Sequence, residues 1–227
     1  MKKVVVLTGA GISAESGIST FRDADGLWEG HDVMEVASPM GWERNMELVL
    51  DFYNKRRRQL KEVSPNAAHK ALKDLEKKYE VHIITQNVDD LHEKAGSSNV
   101  IHLHGELKKV RSTFNEELIL DWEEDLNPGD FCEYNHQLRP HVVWFGEAVP
   151  MMEPAMDITF QADILMIIGT SMQVYPAAGL LDLAPKGIPV FFIDPKPSVT
   201  ATKNLKIYAE KASVGVPRVV QELLEKA

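Results

Sequence analysis

The chain is short of cysteine and of positive charge, and each shortage excludes something. Cys132 is the only cysteine among 227 residues, so no intramolecular disulfide is possible and a reducing compartment is expected. Lys and Arg total 25 against 34 for Asp and Glu, a formal net charge of -9, so nothing draws the chain as a whole toward nucleic acid or anionic lipid. No apolar run approaches the length that spans a bilayer, and the opening "MKKVVVLTGAG" enters a glycine turn too soon for a secretory signal. Repeats and low-complexity tracts are also missing. A soluble, cytoplasmic protein is expected, monomeric, with neither nucleic acid nor membrane as partner.

What is present is ordinary globular composition, 44% hydrophobic and 26% charged, enough for a substantial core with a subordinate lobe. "KVVVLTG" (3 to 9), "VHIITQN" (81 to 87), "ADILMIIGTS" (162 to 171) and "IPVFFID" (188 to 194) are continuous apolar runs of the kind that form strands buried on both faces. Helical patterns at 66 to 79, 177 to 184 and 216 to 227 alternate with them. The expected fold is α/β, a doubly wound parallel, Rossmann-like sheet with a small inserted lobe. Residues 1–28, 63–105 and 141–227 would form the dinucleotide-binding domain. Residues 29–62, mostly helical, and 106–140, short apolar pieces with turns such as "NPGD", would form the lobe.

The first strand runs into "TGAGISAESG", where Gly9, Gly11 and Ala14 satisfy the spacing G-x-G-x-x-G/A. Such glycines let the backbone approach a diphosphate at a helix N-terminus, but so short a match equally describes a tight strand-to-helix turn. A dehydrogenase would continue into a second strand ending in an acidic residue; here that region reads "FRDADGLWEG", a loop.

Specificity comes from five fragments in order: "GAGISAESGISTFRDADGLW" (9 to 28), "TQNVDDLH" (85 to 92), "HLHGEL" (102 to 107), "RPHVVWFGE" (139 to 147) and "GTSMQVYPAAG" (169 to 179). Together they resemble the sirtuin family of NAD-dependent protein lysine deacylases, in particular its bacterial CobB-type class III members. The resemblance covers nearly the whole chain and is weakest over residues 108 to 138. It implies NAD as cofactor and acyl-lysine proteins or peptides as partners.

By this resemblance Gly9, Ala10, Gly11, Glu15, Phe21, Arg22 and Trp28 belong to the cofactor loop, and Gln86, Asn87, Val88 and Asp89 to the nicotinamide and ribose pocket. Gly169, Thr170, Ser171, Asp194 and Ala212 fall at the phosphate, ribose and adenine side. His104, with Asn87 and Asp89, takes the catalytic positions. Phe145, Gly146 and Glu147 in "FGE" and Val174 in "MQVYP" belong to the two segments between which an acyl-peptide would pair as a strand, and Val143 joins them on the substrate side. In the family the acyl oxygen attacks the nicotinamide ribose, and a histidine then takes a proton from a ribose hydroxyl, a step suited to an imidazole of near-neutral pKa. The products are free lysine, nicotinamide and 2'-O-acyl-ADP-ribose. Taken singly, His102 and His104 alternate with apolar residues as structural histidines do, and Asp89 and Asp90 suit a helix cap.

Two departures from the family pattern bear on function. Its small lobe commonly folds around zinc held by two cysteine pairs, whereas "KVRSTFNEEL" has no cysteine and "GDFCEYNHQL" has one, so Cys132 and His136 supply at most two of four ligands. No zinc is expected, and Phe114, Leu118, Ile119, Trp122, Phe131 and Tyr134 are expected to form a small core in its place. The second departure is Asp194, where the family usually has asparagine; it brings a charge that Lys196 would partly offset.

The run "DFYNKRRRQL" concentrates basic residues in an acidic chain. On a helix, Val49, Tyr53, Arg56 and Leu60 share a stripe led by Met46, so Arg56 stands where an apolar residue belongs, while Lys55 and Arg58 face solvent and Arg57 is intermediate. A snorkelling side chain would also fit Arg56. Class III sirtuins carry a Tyr-x-x-Arg pair in the acyl pocket, which Tyr53 and Arg56 match, with Ala24 matching a small residue that leaves room. The resemblance therefore implies removal of succinyl and malonyl groups, with glutaryl a further candidate and acetyl a weaker substrate. The alternatives are a general deacetylase with a structural Arg56, an NAD-sensing binding module, and ADP-ribosyl transfer to protein.

Overall fold

Val4, Val5, Val6 and Leu7 are all buried, and they divide by parity: Val4 and Val6 enter one apolar cluster, Val5 and Leu7 the cluster on the opposite face. That division is the reason a continuous apolar run builds a two-faced sheet. The structure is a computed structural model and describes residues 1–19, 27–170 and 177–226.

In chain order, β1 (Lys3–Thr8) is followed by a two-residue hairpin, β2 (Leu27–Trp28) and β3 (His31–Asp32), and by helices α1 (Val33–Val36), α2 (Pro39–Arg44), α3 (Met46–Leu60) and α4 (Ala67–Leu75). Then come β4 (Glu80–Thr85), α5 (Leu91–Lys94), β5 (Val100–His102), β6 (Gly105–Ser112), β7 (Ile119–Asp121) and β8 (Leu138–Val142). The chain closes with α6 (Met152–Thr159), β9 (Ile164–Ile168), α7 (Leu180–Leu183), β10 (Val190–Ile193), β11 (Leu205–Tyr208) and α8 (Ala212–Leu224).

The main sheet has the order β11-β10-β9-β1-β4-β5 with every pairing parallel. One face packs on α4 and α8 through Leu72, Leu75, Val216 and Val219, the other on α6 and α7 through Ala155 and Leu180. The expected α/β class is thus borne out. All four strand runs read from the sequence are strands, while β5 and β11 are additional edges. Helix α8 starts at Ala212, four residues before the expected 216, and Pro217 lies within it. Proline suggests a helix start because its missing N–H is harmless in the first turn, but here that signal falls too late.

Helices α1 to α3 pack beside an antiparallel sheet of order β7-β6-β8. Caps set their ends: Ser38 Oγ accepts from Gly41 N at 3.0 Å, and Asn45 Oδ1 accepts from Leu48 N at 3.1 Å. An apolar seam of Val36, Val49, Phe52, Tyr53, Leu107 and Trp144, with Val88 and Trp28 against it, joins these helices to the loops of the main sheet.

The apolar residues expected to fill the small lobe are only partly there. Leu118 and Trp122 pack inward, but Phe114, Ile119, Phe131 and Tyr134 are 65%, 41%, 54% and 54% exposed. Leu50 from α3, with Val110, Leu126, Cys132 and Leu138, fills the interior instead. Leu50 lies some sixty residues upstream of the sheet, so the local pattern of 106–140 does not show it. Among the described residues no helix is long and apolar enough to cross a membrane.

Candidate active site

In a parallel sheet the ligand crevice opens outside the carboxyl ends of the strands where the strand order reverses, here at β1 between β9 and β4. The loop after β1, residues 86 to 90 after β4, the turn between β5 and β6, residues 169 and 170 after β9, and Asp194 after β10 all meet at that end.

The glycines of the first loop have a specific use. Gly11 N donates to Gly169 O at 2.9 Å, and a Cβ on Gly11 would lie 2.6 Å from Gly169 Cα. Two backbones thus pack against each other across the switch point, which only glycine allows. Gly9 is in the same contact, its virtual Cβ 2.8 Å from Gly169 O, and Ala10 lies partly exposed between them. Glu15 Oε2 accepts from Ser213 N at 3.0 Å, which brings the loop to the start of α8 beside Ala212.

The loop after β4 is held from several sides. Gln86 Nε2 donates to Thr170 Oγ1 at 3.1 Å, and the Asn87 amide donates to Gly9 O at 3.2 Å and Ser13 Oγ at 3.1 Å. Ser13 in turn donates to Asp89 Oδ2 at 2.9 Å, while Asp89 Oδ1 accepts from Leu91 N at 3.1 Å at the start of α5. Burial raises the Asp89 carboxyl pKa against the lowering effect of these two donors. Ser13, 1% exposed, therefore ties Asn87 to Asp89. It was legible as a member of the glycine loop but not as this bridge, since its partners stand more than seventy residues away.

His104 occupies the turn after β5 rather than a strand. Its Nδ1 lies 3.0 Å from Gln86 O, and burial lowers its pKa below the usual 6.5, with that carbonyl acting the other way. The chain can turn here because Gly105 has φ +80°; a Cβ there would fall 2.1 Å from His141 O. His102 is engaged by Asn87 O at 3.1 Å and Glu93 Oε1 at 2.8 Å; burial disfavours its charge, yet the Glu93 carboxylate holds its pKa above 6.5.

Asp194 is 3% exposed, and its Oδ1 accepts from the Lys196 backbone N–H at 2.8 Å, so it is the main chain of Lys196 that serves the carboxylate. Phe21, Arg22, Ala24, Ser171 and Val174 lie outside the described residues.

A second group gathers on α3. Trp144 Nε1 donates to the Tyr53 hydroxyl at 3.0 Å, and Tyr53 is fully buried, which drives its pKa well upward. Arg56 is 9% exposed, donates to Phe52 O, and lies over the Phe52 ring at 3.3 Å and the Trp28 ring at 5.6 Å. Trp28, expected at the cofactor, thus stands in the Tyr53–Arg56 group. Among the described residues Arg56 makes no ion pair: Glu29 and Asp51 act on it only at longer range, burial lowers its pKa to about 10, and its Nε is buried without a hydrogen-bond partner.

This group is linked to His104 through "VVWFGE". Val143 N donates to His104 O at 2.9 Å, and the next residue is Trp144. Phe145 N donates to Ala37 O at 2.9 Å, leaving the Phe145 side chain 46% exposed beside Gly146. Glu147, expected on the peptide side, turns its carboxylate inward to Arg139 Nη1 at 2.6 Å, Arg111 Nη2 at 3.1 Å and Trp144 N at 2.8 Å.

A doubly wound sheet with close-packed glycine loops at its switch point and polar side chains converging there defines a dinucleotide-binding α/β protein. The model of the Sir2 family matches residues 9–176. An NAD-dependent protein deacylase of Helicobacter pylori is 58% identical over 228 residues, covering 100% of both chains, and one of Bacteroides thetaiotaomicron is 53% identical, covering 99% of both. Among solved structures, a Sir2 homologue in complex with NAD superposes with a TM-score of 0.89 at 39% identity, covering 99% of this chain and 90% of that one. A Sir2 complex with a deacetylated p53 peptide and 3'-O-acetyl-ADP-ribose gives 0.77 at 27% identity, covering 99% and 93%. The chain belongs to the Sir2 family.

The zinc common in that family does not fit the residues here. Ser112 Oγ and Cys132 Sγ face each other at 3.3 Å, a hydrogen-bond contact, and no group of three His, Cys, Asp or Glu among the described residues is arranged to hold a metal.

Proposed function

We propose that this NAD-dependent protein-lysine deacylase acts preferentially on acidic acyl groups, succinyl and malonyl first and glutaryl as a longer variant, with weaker deacetylase activity. The observation that carries the reading is Arg56: a buried guanidinium with no ion-pair partner among the described residues, on the same helix stripe as the Tyr53 hydroxyl. Leaving a cation in that state is costly, and a carboxylate on the incoming acyl chain would relieve the cost. The guanidinium fork suits two carboxylate oxygens, and the tyrosine hydroxyl adds a third donor.

The remaining roles in this reading are those the family resemblance implies, and the arrangement of the crevice supports them. NAD, when bound, supplies the ribose carbon from which nicotinamide departs and to which the acyl oxygen is transferred. His104, its Nδ1 engaged by Gln86 O, keeps Nε2 to accept the proton of a ribose hydroxyl. Asn87 and Asp89, locked together by Ser13, orient the ribose and the nicotinamide amide. Glu15, Thr170, Asp194 and the start of α8 at Ala212 hold the ADP half, and the main chain around Val143 to Gly146 receives the acyl-peptide as an added strand. A relative solved with a deacetylated p53 peptide supports a peptide as the carrier of the acyl-lysine.

The test is nicotinamide release from NAD with matched succinyl-, malonyl- and acetyl-lysine peptides, using His104→Ala as blank and Arg56→Met as probe. Arg56→Met is expected to reduce turnover of the acidic acyl peptides by roughly tenfold to a hundredfold, the worth of a charged hydrogen bond, while acetyl turnover changes little. Equal losses on all three peptides would return Arg56 to a structural role and leave a general deacetylase.

A further inference from the structure

Arg57, next to the proposed acyl reader, is 1% exposed and is among the largest fully buried side chains of the protein. Among the described residues it has no carboxylate partner; Asp125 acts on it only at longer range and pairs instead with Arg58 at 3.5 Å. Its hydrogen bonds go mostly to main chain. Nε donates to Leu107 O at 2.8 Å, and Nη1 donates to Asn54 Oδ1 at 2.7 Å and more weakly to Glu124 O at 3.4 Å. Asn54 pairs with Leu126 in both directions, Nδ2 to O and N to Oδ1, each at 2.9 Å.

Leu107 is the informative partner. Its carbonyl takes Arg57, and its own N–H donates to Val88 O at 2.9 Å, inside the loop that carries Asn87 and Asp89. The Val88 side chain packs into the same apolar seam as Leu107, Tyr53 and Trp144. A single residue therefore connects α3 to the loop at the reaction centre. A buried guanidinium is an expensive way to hold a helix that apolar residues would hold as well, unless the fixed directions of its fork are what is required.

We infer that Arg57 is a positioning residue: through Leu107 it sets the α3 face bearing Tyr53 and Arg56 in register with the Asn87–Asp89 loop, so that the acyl carbonyl meets the ribose at attack distance. The inference rests on the roles proposed above for those residues. A misplacement of about an ångström at such a junction costs on the order of a hundredfold in rate while leaving binding contacts largely intact.

The test compares Arg57→Met, Arg57→Lys and Arg56→Met with the unaltered protein, measuring kcat and KM on succinyl- and acetyl-lysine peptides, the Kd of NAD, and the thermal midpoint. Arg57→Met is expected to lower kcat by about tenfold to a hundredfold on both peptides, with peptide KM and NAD Kd within about threefold. Arg57→Lys, which keeps one donor for Leu107 O, is expected to recover part of kcat. Unchanged kcat per folded molecule, or NAD affinity lost in step with kcat, would make Arg57 merely structural. If Arg57→Met does not fold, Arg57→Lys decides: reduced kcat at native NAD affinity supports the inference, and native kcat overturns it. Arg56→Met separates the two readings, because a failure of acyl selectivity there removes the specificity proposal while the effect of Arg57 on acetyl turnover still reports alignment.

Discussion

His104 Nδ1 lies 3.0 Å from the carbonyl oxygen of Gln86, and a carbonyl only accepts, so the proton of the neutral imidazole sits on Nδ1. Nε2 is left with its lone pair, the state a general base needs. The same residue, Gln86, reaches Thr170 with its side chain, so the tautomer of His104 and the far wall of the crevice share one anchor.

The pH dependence follows in sign. Burial lowers the His104 pKa below 6.5, so the imidazole is mostly neutral at that pH and loses its lone pair only under more acidic conditions. The acid limb of the kcat/KM profile is expected to fall below pH 6.5, and His104→Ala to reduce turnover by roughly a hundredfold to ten-thousandfold. An acid limb centred above 6.5 would mean that another group controls it.

Glu147 and Arg139 give a stability prediction. The carboxylate accepts from Arg139, Arg111 and Trp144 N, and burial that would raise its pKa is outweighed by these donors, which hold it below the usual range. Arg139 also lies over the Trp144 ring at 3.3 Å. Glu147→Ala strands two buried guanidinium groups, so a loss of about 3 kcal/mol is expected in urea unfolding, with weaker peptide binding because Trp144 N loses its acceptor. A loss under about 1 kcal/mol would show the cluster to be well solvated.

What was legible in the sequence depended on distance along the chain. The four apolar runs of the main sheet and the helices at 66 to 79 and 177 to 184 carry their own periodicity, and the glycines of the first loop sit next to the strand they follow. The bridge from Ser13 to Asp89, the link from Trp144 to Tyr53, and Leu50 in the core of the small lobe join segments that no local pattern connects. Phe114 and Phe131 misled for the opposite reason: an aromatic residue in a turn-rich segment reads as core, yet the turns leave both facing water.

The small lobe is expected to be indifferent to metal. Ser112 Oγ accepts from Phe114 N at 3.1 Å and Asn115 N at 3.2 Å while meeting Cys132 Sγ, so a side-chain hydroxyl organises the turn after β6. Strong chelators should leave the thermal midpoint unchanged, and dialysed protein should hold no stoichiometric zinc. Ser112→Ala, by contrast, deprives two N–H groups of their acceptor and is expected to cost about 1 to 3 kcal/mol in urea unfolding. Destabilisation by chelator would show that the lobe holds a metal after all.

The buried histidine pair His69 and His92 predicts acid sensitivity of the fold itself. Their ring centroids are 4.9 Å apart, and His92 Nε2 meets Thr8 Oγ1 at 3.2 Å; both ring nitrogens of His69 lack a hydrogen-bond partner among the described residues. Burial lowers His69 from 6.5 to about 4, the Glu93 carboxylate only partly opposing it, and burial followed by repulsion from His69 and His102 lowers His92 as well. As pH falls through this window the unfolded chain takes up protons before the folded one, so stability declines from pH 6.5 to about 4 and is unaffected by His69 above it. A depression of this size amounts to about 3 kcal/mol at His69 alone. His69→Leu removes one titrating site, and the slope of unfolding free energy against pH should then lessen by about 1.4 kcal/mol per unit in mid-window. Identical slopes for the variant and the unaltered protein would show that His69 is not the proton acceptor; a shallower slope would assign acid lability to a pair that meets the end of β1 through His92 and Thr8.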